Sequence, residues 1–335
     1  MAFVMAVSVN CLLQKMAIQR NMRNNMKKHI LVTHTDLDGI AAAVVFLKAY
    51  QEYSFCFEVH YCEIDEVDNT LKDIIAVDFK NDNVENLYIV DVTPKDKDVI
   101  ATLDNYQKKT NIVLLDHHET AASRFVDYNW ATIDTTQCAS KAFYQYLNNN
   151  GYQISYCLTK YIDAVDASDR WVKDDMELFN YGRQHSLLLR SLGRNEYIDN
   201  QLFKTDVSAF LESELLVLDI LESEQKRYVN DKIKSIVKFN CDDVSLAIVF
   251  CDRCISEIAE ELRNRHTKEF AAVVGINLSN RTIRIRSIDE NFDSGKFSKK
   301  FSVRGGGHYQ SGGFHIDDDN KINNFLSTLF KKLEE

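Results

Sequence analysis

Hydrophobic and polar positions follow two rhythms in the region between residues 29 and 171, where short β-branched runs take turns with longer stretches of helical period. HILVT (29–33) reads as a buried strand, and the alanine-rich residues 39–49 as the helix behind it. FCFEVHYC (55–62) alternates in the manner of a strand, and NLYIVD (86–91) and NIVLLD (111–116) are two more. A helix is predicted between Pro94 and Lys108. This βαβ alternation predicts an α/β fold whose first domain is doubly wound, on a mostly parallel sheet.

Residues 175–240 carry few turn signals and read as largely helical, with Leu211, Leu215, Leu218 and Leu221 spaced for helix packing. A second alternating region begins near Val244: VSLAIVF as a strand, a helix from Ile255 to Arg265, FAAVVGI and RTIRIRS as strands, then a glycine run and a C-terminal helix. That is a smaller α/β domain with an antiparallel pair. Boundaries are placed at 28–174, 175–240 as a helical connector, and 241–335. Residues 1–27 form an extension of uncertain meaning. The first 28 positions of the chain hold no Asp or Glu, as in a transit peptide, but Met16, Met22 and Met26 suggest that folding begins near Met26.

Composition narrows the classes. A chain of 335 residues that is 45% hydrophobic can bury one large or two ordinary domains. Its formal net charge of −10 argues against a protein that coats long duplex nucleic acid through a general basic field, so an anionic substrate would need a local basic device. No run of 18 apolar residues exists, and no membrane span is expected. The eight cysteines have no disulfide-scaffold spacing, which points to reduced thiols in a cytoplasm. Cys251-Asp-Arg-Cys254 is a lone CxxC without the four ligands of structural zinc, and is expected as two thiols at a helix start.

Three predicted strands end on groups that bind metals: HILVT on His34, Asp36 and Asp38, NLYIV on Asp91, and NIVLL on Asp116, His117 and His118. In an open α/β sheet, ligands bind outside the carboxyl ends of the strands, where these loops converge. Each residue has an ordinary use by itself. Asp38 before Gly39 is a helix cap, Asp91 a turn residue, His117 a satisfied core histidine. Their shared placement favours a site. Crowded carboxylates repel unless cations neutralise them. Several Asp with two or three imidazoles suit two divalent ions, Mn²⁺ best, with Mg²⁺ or Co²⁺ as alternatives. Ions about 3.5–4 Å apart can activate a bridging water and clamp a phosphoryl group.

The basic device lies in RGGGHYQSGGF (304–314). Gly305, Gly306 and Gly307 would let the backbone approach a ligand as an anion-binding nest flanked by Arg304 and His308, unless the run is merely a flexible loop. Arg284 and Arg286, two apart on a strand, share one face, and Lys299 and Lys300 add charge.

HTDLDG, IVD, DHH and GGGH together resemble the motifs of the DHH/DHHA1 phosphoesterase superfamily, over residues 29–318. Within it, HTDLDGIAAA, DHHETA, SDRW and FCDRCISEIAEEL followed by TIRIRS and GGGH are most similar to bacterial oligoribonucleases of the nanoRNase B group. The resemblance implies a DHH catalytic domain, a connector and a DHHA1 substrate-binding domain. It implies that His34, Asp36 and Asp91 hold one Mn²⁺ and that Asp38, Asp91, His117 and Asp169 hold the other, with Asp91 bridging. Asp116 would orient an imidazole and His118 would contact the phosphate or leaving group. Arg286, the Gly305–Gly307 backbone and His308 would grip the rest of the nucleotide chain. In YIDAVDASDRW the resemblance, through the Trp two positions after Asp169, selects that residue over Asp163 and Asp166, which are expected on the outer or capping face of their helix. Two features depart from the superfamily: His34 stands two residues before Asp36 where many members have four, and Gln310 and Ser311 follow the GGGH motif where small residues are common.

The implied activity is Mn²⁺-dependent removal of 5′-mononucleotides from RNAs of about two to five nucleotides, in either direction, across a cleft between two domains that measures length. The same chemistry on linear dinucleotides, phosphoadenosine phosphate or single-stranded DNA is the alternative, with a non-catalytic nucleotide sensor behind it. The partner is then short single-stranded RNA or a dinucleotide, and a homodimer stays open.

Overall fold

The computed structural model describes residues 27–316 and residue 327, apart from 52–55, 153, 155–156, 205, 208, 242–243, 266–268 and 303–304. The C-terminal helix expected after the glycine run, Arg304 and the N-terminal extension up to residue 26 lie outside the described residues. The chain divides into two compact units between Leu218 and Asp219.

In the first unit, five strands pair in parallel in the order β2-β1-β3-β4-β5. They are β1 (Lys28–Thr33), β2 (Cys56–Tyr61), β3 (Val84–Val90), β4 (Asn111–Asp116) and β5 (Ala131–Ile133). Parallel strands are covered on both faces, and the middle three accordingly read as unbroken apolar runs: Ile30 to Val32, Leu87 to Val90 and Ile112 to Leu115 are all buried. One face packs on α2 (Val67–Ile74, continued by a π-helical turn at Ile75–Phe79), α3 (Lys97–Tyr106) and α4 (Glu119–Phe125) through Leu71, Leu103 and Phe125. Each such side chain contributes about 1.5–3 kcal/mol by leaving water.

The other side is covered by α1 (Leu37–Gln51), whose residues Ile40 to Phe46 are wholly buried. A helix apolar all round must be enclosed. It is enclosed by α5 (Ala139–Asn149), α6 (Cys157–Asp169), α7 (Met176–Leu192) and α8 (Arg194–Phe203). Gly182 lets α7 lie against α6, because a Cβ there would sit 2.1 Å from the Ala164 carbonyl oxygen. The connection from β1 leaves toward β2 on one side, and that from β3 toward β4 on the other. The crevice where they diverge, at the carboxyl ends of β1 and β3, is the switch point at which doubly wound sheets bind ligands.

The stretch 175–240, expected as a connector, divides between the units. Helices α7 and α8 belong to the first, and α9 (Glu212–Lys234) crosses the boundary. Of the leucine stripe read as helix packing, Leu218 is buried, but Leu215 is 52% exposed.

The second unit holds a six-stranded sheet in the order β10-β11-β9-β8-β7-β6. Its strands are β6 (Val237–Cys241), β7 (Val244–Phe250), β8 (Ala272–Asn277), β9 (Thr282–Ser287), β10 (Gly306–His308) and β11 (Ser311–His315). Among the described residues of this sheet only β7 and β8 pair in parallel, and α10 (Ile255–Arg265) lies between them in sequence. Alternation along β7 sends Leu246 and Ile248 to the face covered by Phe297 of α11 (Ser294–Phe301), and Ala247 and Val249 to the face covered by Ile258 and Leu262 of α10. Among the described residues no helix is long and apolar enough to cross a membrane.

Candidate metal centre

The turn after β1 builds the first wall. Asp36 accepts a hydrogen bond from the Gly39 N–H at 3.2 Å, so it caps the start of α1. Gly39 is required because a Cβ there would meet the His34 carbonyl oxygen at 2.4 Å, which brings the first turn of α1 against the backbone of His34. Asp38 is buried in that turn and caps a different helix from its own. Its oxygens accept from the N–H groups of Ala139 and Ser140 at 2.8 and 2.9 Å, the positive end of α5.

Asp91 follows β3, is 3% exposed, and has φ of +64°. Asp tolerates this left-handed region, but at a cost that persists only where the surroundings enforce it, commonly at functional sites. The Asp91 N–H donates to the Leu115 carbonyl at 3.0 Å, which fixes the turn. One oxygen, Oδ1, lies 3.5 Å from Nε2 of His117, and the other, Oδ2, lies 3.8 Å from Nδ1 of His34. Oδ2 is buried and accepts no hydrogen bond from the described residues.

Asp91 thereby joins two groups. His34, Asp36 and Asp91 form the first, and Asp38, His117 and Asp169 the second; within each, the ligand atoms lie within 4.8 Å of one another. In the second, His117 Nε2 is 3.4 Å from Asp169 and 3.8 Å from Asp38. A further group of Asp91, Asp116, His117 and His118 meets the same limit. Asp116 accepts from the His117 N–H and pairs with His118 Nδ1, both at 2.8 Å.

The electrostatics of the bare protein are unbalanced. Burial, and then the carboxylates of Asp36, Asp38, Asp169 and Asp116, push Asp91 well above the ordinary carboxylate range. Burial and the Asp38 and Asp36 carboxylates do the same to Asp169. Burial lowers His117, so its imidazole is neutral and available as a ligand. His118 goes the other way: burial would lower it, but the Asp116 carboxylate outweighs that and raises it. Oxygen and imidazole donors around an orphaned buried carboxylate oxygen fit divalent cations of the Mn²⁺ or Mg²⁺ type, and the groups contain no thiolate.

The three acids of α6 separate clearly. Asp166 accepts from the Cys138 N–H at 2.8 Å and is clamped by Lys141 and by both Nε and one terminal nitrogen of Arg170. Asp163 pairs with Lys141 at 2.9 Å. Asp169 alone of the three joins the His117 group. Trp171, with φ of +58°, ends this segment and packs edge-on against Phe179 of α7.

In the second unit, Arg284 is exposed on β9, where it lines a small pocket with Asp252, Arg253 and Asn277. Arg286, two positions on, donates from Nε to Ser256 Oγ at 3.0 Å and from a terminal nitrogen to the Ile285 carbonyl at 3.1 Å. No carboxylate among the described residues pairs with it, and burial, then Arg284, bring it down to about 10. Of the three glycines expected as an anion-binding nest, Gly306 and Gly307 lie in the edge strand β10. Gly306, Gly307 and His308 pair with Gly313, Gly312 and Ser311, and the Gly305 N–H donates to Ser302. Only the backbone of His308 is described.

Sequence reading missed Glu63, which follows β2. Its Oε2 lies 3.5 Å from His34 Nε2, and its Oε1 accepts from the Thr35 hydroxyl.

Neither a protein-family model nor a curated protein matches the sequence. Solved structures do. The DHH domain of a member of a family of ribosomal proteins is 14% identical at a TM-score of 0.57, over 95% of this chain and 88% of that one. RecJ from Thermus thermophilus, in complex with Mn²⁺, is 10% identical at a TM-score of 0.50 over 93% of this chain. This chain spans about half of that RecJ, 54% of its length. The protein thus has the fold of the DHH-domain proteins, an N-terminal parallel sheet with its helices and a smaller C-terminal sheet region.

Proposed function

We propose that this chain is a two-metal phosphodiesterase that hydrolyses short oligoribonucleotides, of about two to five nucleotides, to 5′-mononucleotides. The observation that carries the reading is Asp91, whose two oxygens face two separate donor groups from a buried position with one oxygen unpartnered. His34, Asp36 and Asp91 would hold one ion, and Asp38, Asp91, His117 and Asp169 the other. When bound, such ions lower the pKa of a coordinated water and stabilise charge on a phosphoryl group. The RecJ that shares this fold carries Mn²⁺, which favours Mn²⁺ here.

The chain's own residues do the rest. Asp116 holds the His118 ring by Nδ1 and keeps its proton affinity high, so that His118 is placed to donate a proton to the leaving oxygen or to contact the phosphate. Asp38 is fixed by two backbone N–H groups, which sets its carboxylate without a rotamer search. Arg286, a cation with no carboxylate partner, would bind a substrate phosphate, with Arg284 beside it and the Gly305–Gly307 backbone and His308 supporting the remainder of the chain.

The test is turnover with Mn²⁺ of 5′-labelled RNA of two to about 24 nucleotides, run beside linear dinucleotides, phosphoadenosine phosphate, pyrophosphate and single-stranded DNA. Rates that fall steeply with RNA length as mononucleotides accumulate support the reading. Turnover confined to another substrate keeps the chemistry and replaces the substrate. No turnover with metal bound overturns the enzyme.

A further inference from the structure

We propose that Glu63 is a positioning residue that holds the His34 imidazole in the tautomer presenting Nδ1 to a cation shared with Asp36 and Asp91; this rests on the two-metal reading above. Both nitrogens of His34 face carboxylates. Nδ1 lies 2.9 Å from Asp36 Oδ2 and 3.8 Å from Asp91 Oδ2, and Nε2 lies 3.5 Å from Glu63 Oε2. A neutral imidazole keeps its proton on one nitrogen only. In the metal-free protein Nδ1–H faces Asp36; a cation shared with Asp36 and Asp91 would displace that proton, and the Glu63 carboxylate keeps the remaining proton on Nε2, which frees the Nδ1 lone pair for the cation.

The loop that carries Glu63 is tied to the turn that carries His34. The Cys62 N–H donates to the Thr33 carbonyl at 3.0 Å, one residue before His34. The Glu63 N–H donates to the Glu66 carboxylate at 2.9 Å, and the Glu66 N–H returns to the Glu63 carbonyl at 2.9 Å. The side chain is aimed by Thr35, whose hydroxyl donates to Oε1 and leaves Oε2 for His34. Glu63 is 58% exposed and belongs to none of the three donor groups, so it acts on the centre through the histidine.

The experiment titrates metal-free wild type, Glu63→Ala and Glu63→Gln with Mn²⁺, followed by calorimetry and by Mn²⁺ electron paramagnetic resonance, with melting curves of each metal-free protein. Wild type binds two ions. Glu63→Ala weakens one of the two sites by about 10- to 100-fold and leaves the other unchanged, the loss expected when such a carboxylate is removed. Glu63→Gln, whose amide oxygen still accepts from Nε2–H, recovers most of that affinity, and all three metal-free proteins melt alike. Wild-type affinities at both sites in Glu63→Ala overturn the proposal. So does outright loss of one ion in Ala and Gln variants alike, which makes Glu63 a ligand. A low-melting Glu63→Ala overturns it in favour of a structural role. Wild type that takes up no pair of ions fails the two-metal reading itself, and that arm separates the two failures.

Discussion

The strand edge of the first unit and strand β9 of the second are out of charge balance in opposite senses. At the edge, Asp36, Asp38, Asp91, Asp116 and Asp169 gather around three imidazoles, and burial and then the neighbouring carboxylates drive Asp91 and Asp169 toward their protonated forms. On β9, Arg286 is a half-buried cation whose described partners are a hydroxyl and a carbonyl. Structural ion pairs elsewhere in the protein close their own balance, as Lys204 and Glu214 do at 2.6 Å in the interior. The two unbalanced regions do not, and the difference teaches what each needs: cations for the first and an anion for the second, as the proposed two-metal reading requires.

The harshest way to break the comparison is to neutralise Asp91. Asp91→Asn keeps the left-handed backbone, which Asn also tolerates, and is expected to lower Mn²⁺-dependent turnover by at least about 10³-fold. Hydrolysis of a dinucleotide measures it, and melting of the metal-free protein should show no loss, because burial and the neighbouring carboxylates already drive the Asp91 carboxyl toward its neutral form. Wild-type turnover in this variant would remove the bridge from the account.

On the cationic side, Arg286→Ala should raise KM for short RNA about 10- to 100-fold with little change in kcat, since a hydrogen bond to a charged group contributes about 1.5–3 kcal/mol. The fold should not suffer, as no buried carboxylate loses its partner. Steady-state kinetics separate the two constants.

Asp166 sharpens the comparison because it is an acid of the same helix with its charge already balanced. Burial would raise its carboxyl, but Arg170, the Cys138 N–H and Lys141 hold it below the ordinary range. A folded value below the unfolded one means that its stabilisation is complete above about pH 4 and is lost as pH falls through the folded value. Asp166→Asn should therefore cost about 1–3 kcal/mol at neutral pH and flatten the acid limb of a stability–pH curve, read by denaturant titration. Asp163→Asn is the smallest perturbation. Its half-exposed pair with Lys141 should be worth less than about 1 kcal/mol, with turnover unchanged.

Much of the edge was legible because its strands are continuous apolar runs that stop abruptly on acids and imidazoles. Periodicity locates such a run, and the sheet's polarity then brings its ends together. Asp169 was reached by resemblance, and the helix geometry places it apart from Asp163 and Asp166. Glu63 was not legible, because CEIDE has no periodic signal and its relation to His34 exists only once β2 lies beside β1. The anchoring of Asp38 by Ala139 and Ser140 spans about 100 residues of sequence and has no local trace. That part of the glycine run forms a strand was not legible, because glycine disfavours strands in isolation. Here it pairs with a second glycine pair, Gly312 and Gly313, where small residues let the backbones meet.

The most direct test is a crystal of the protein grown with Mn²⁺ and examined by anomalous diffraction at the manganese edge. Two peaks about 3.5–4 Å apart, one against His34 and Asp36, the other against Asp38, His117 and Asp169, with Asp91 touching both, are what the charge imbalance predicts. A single peak, or a pair that leaves Asp91 without contact, would contradict it.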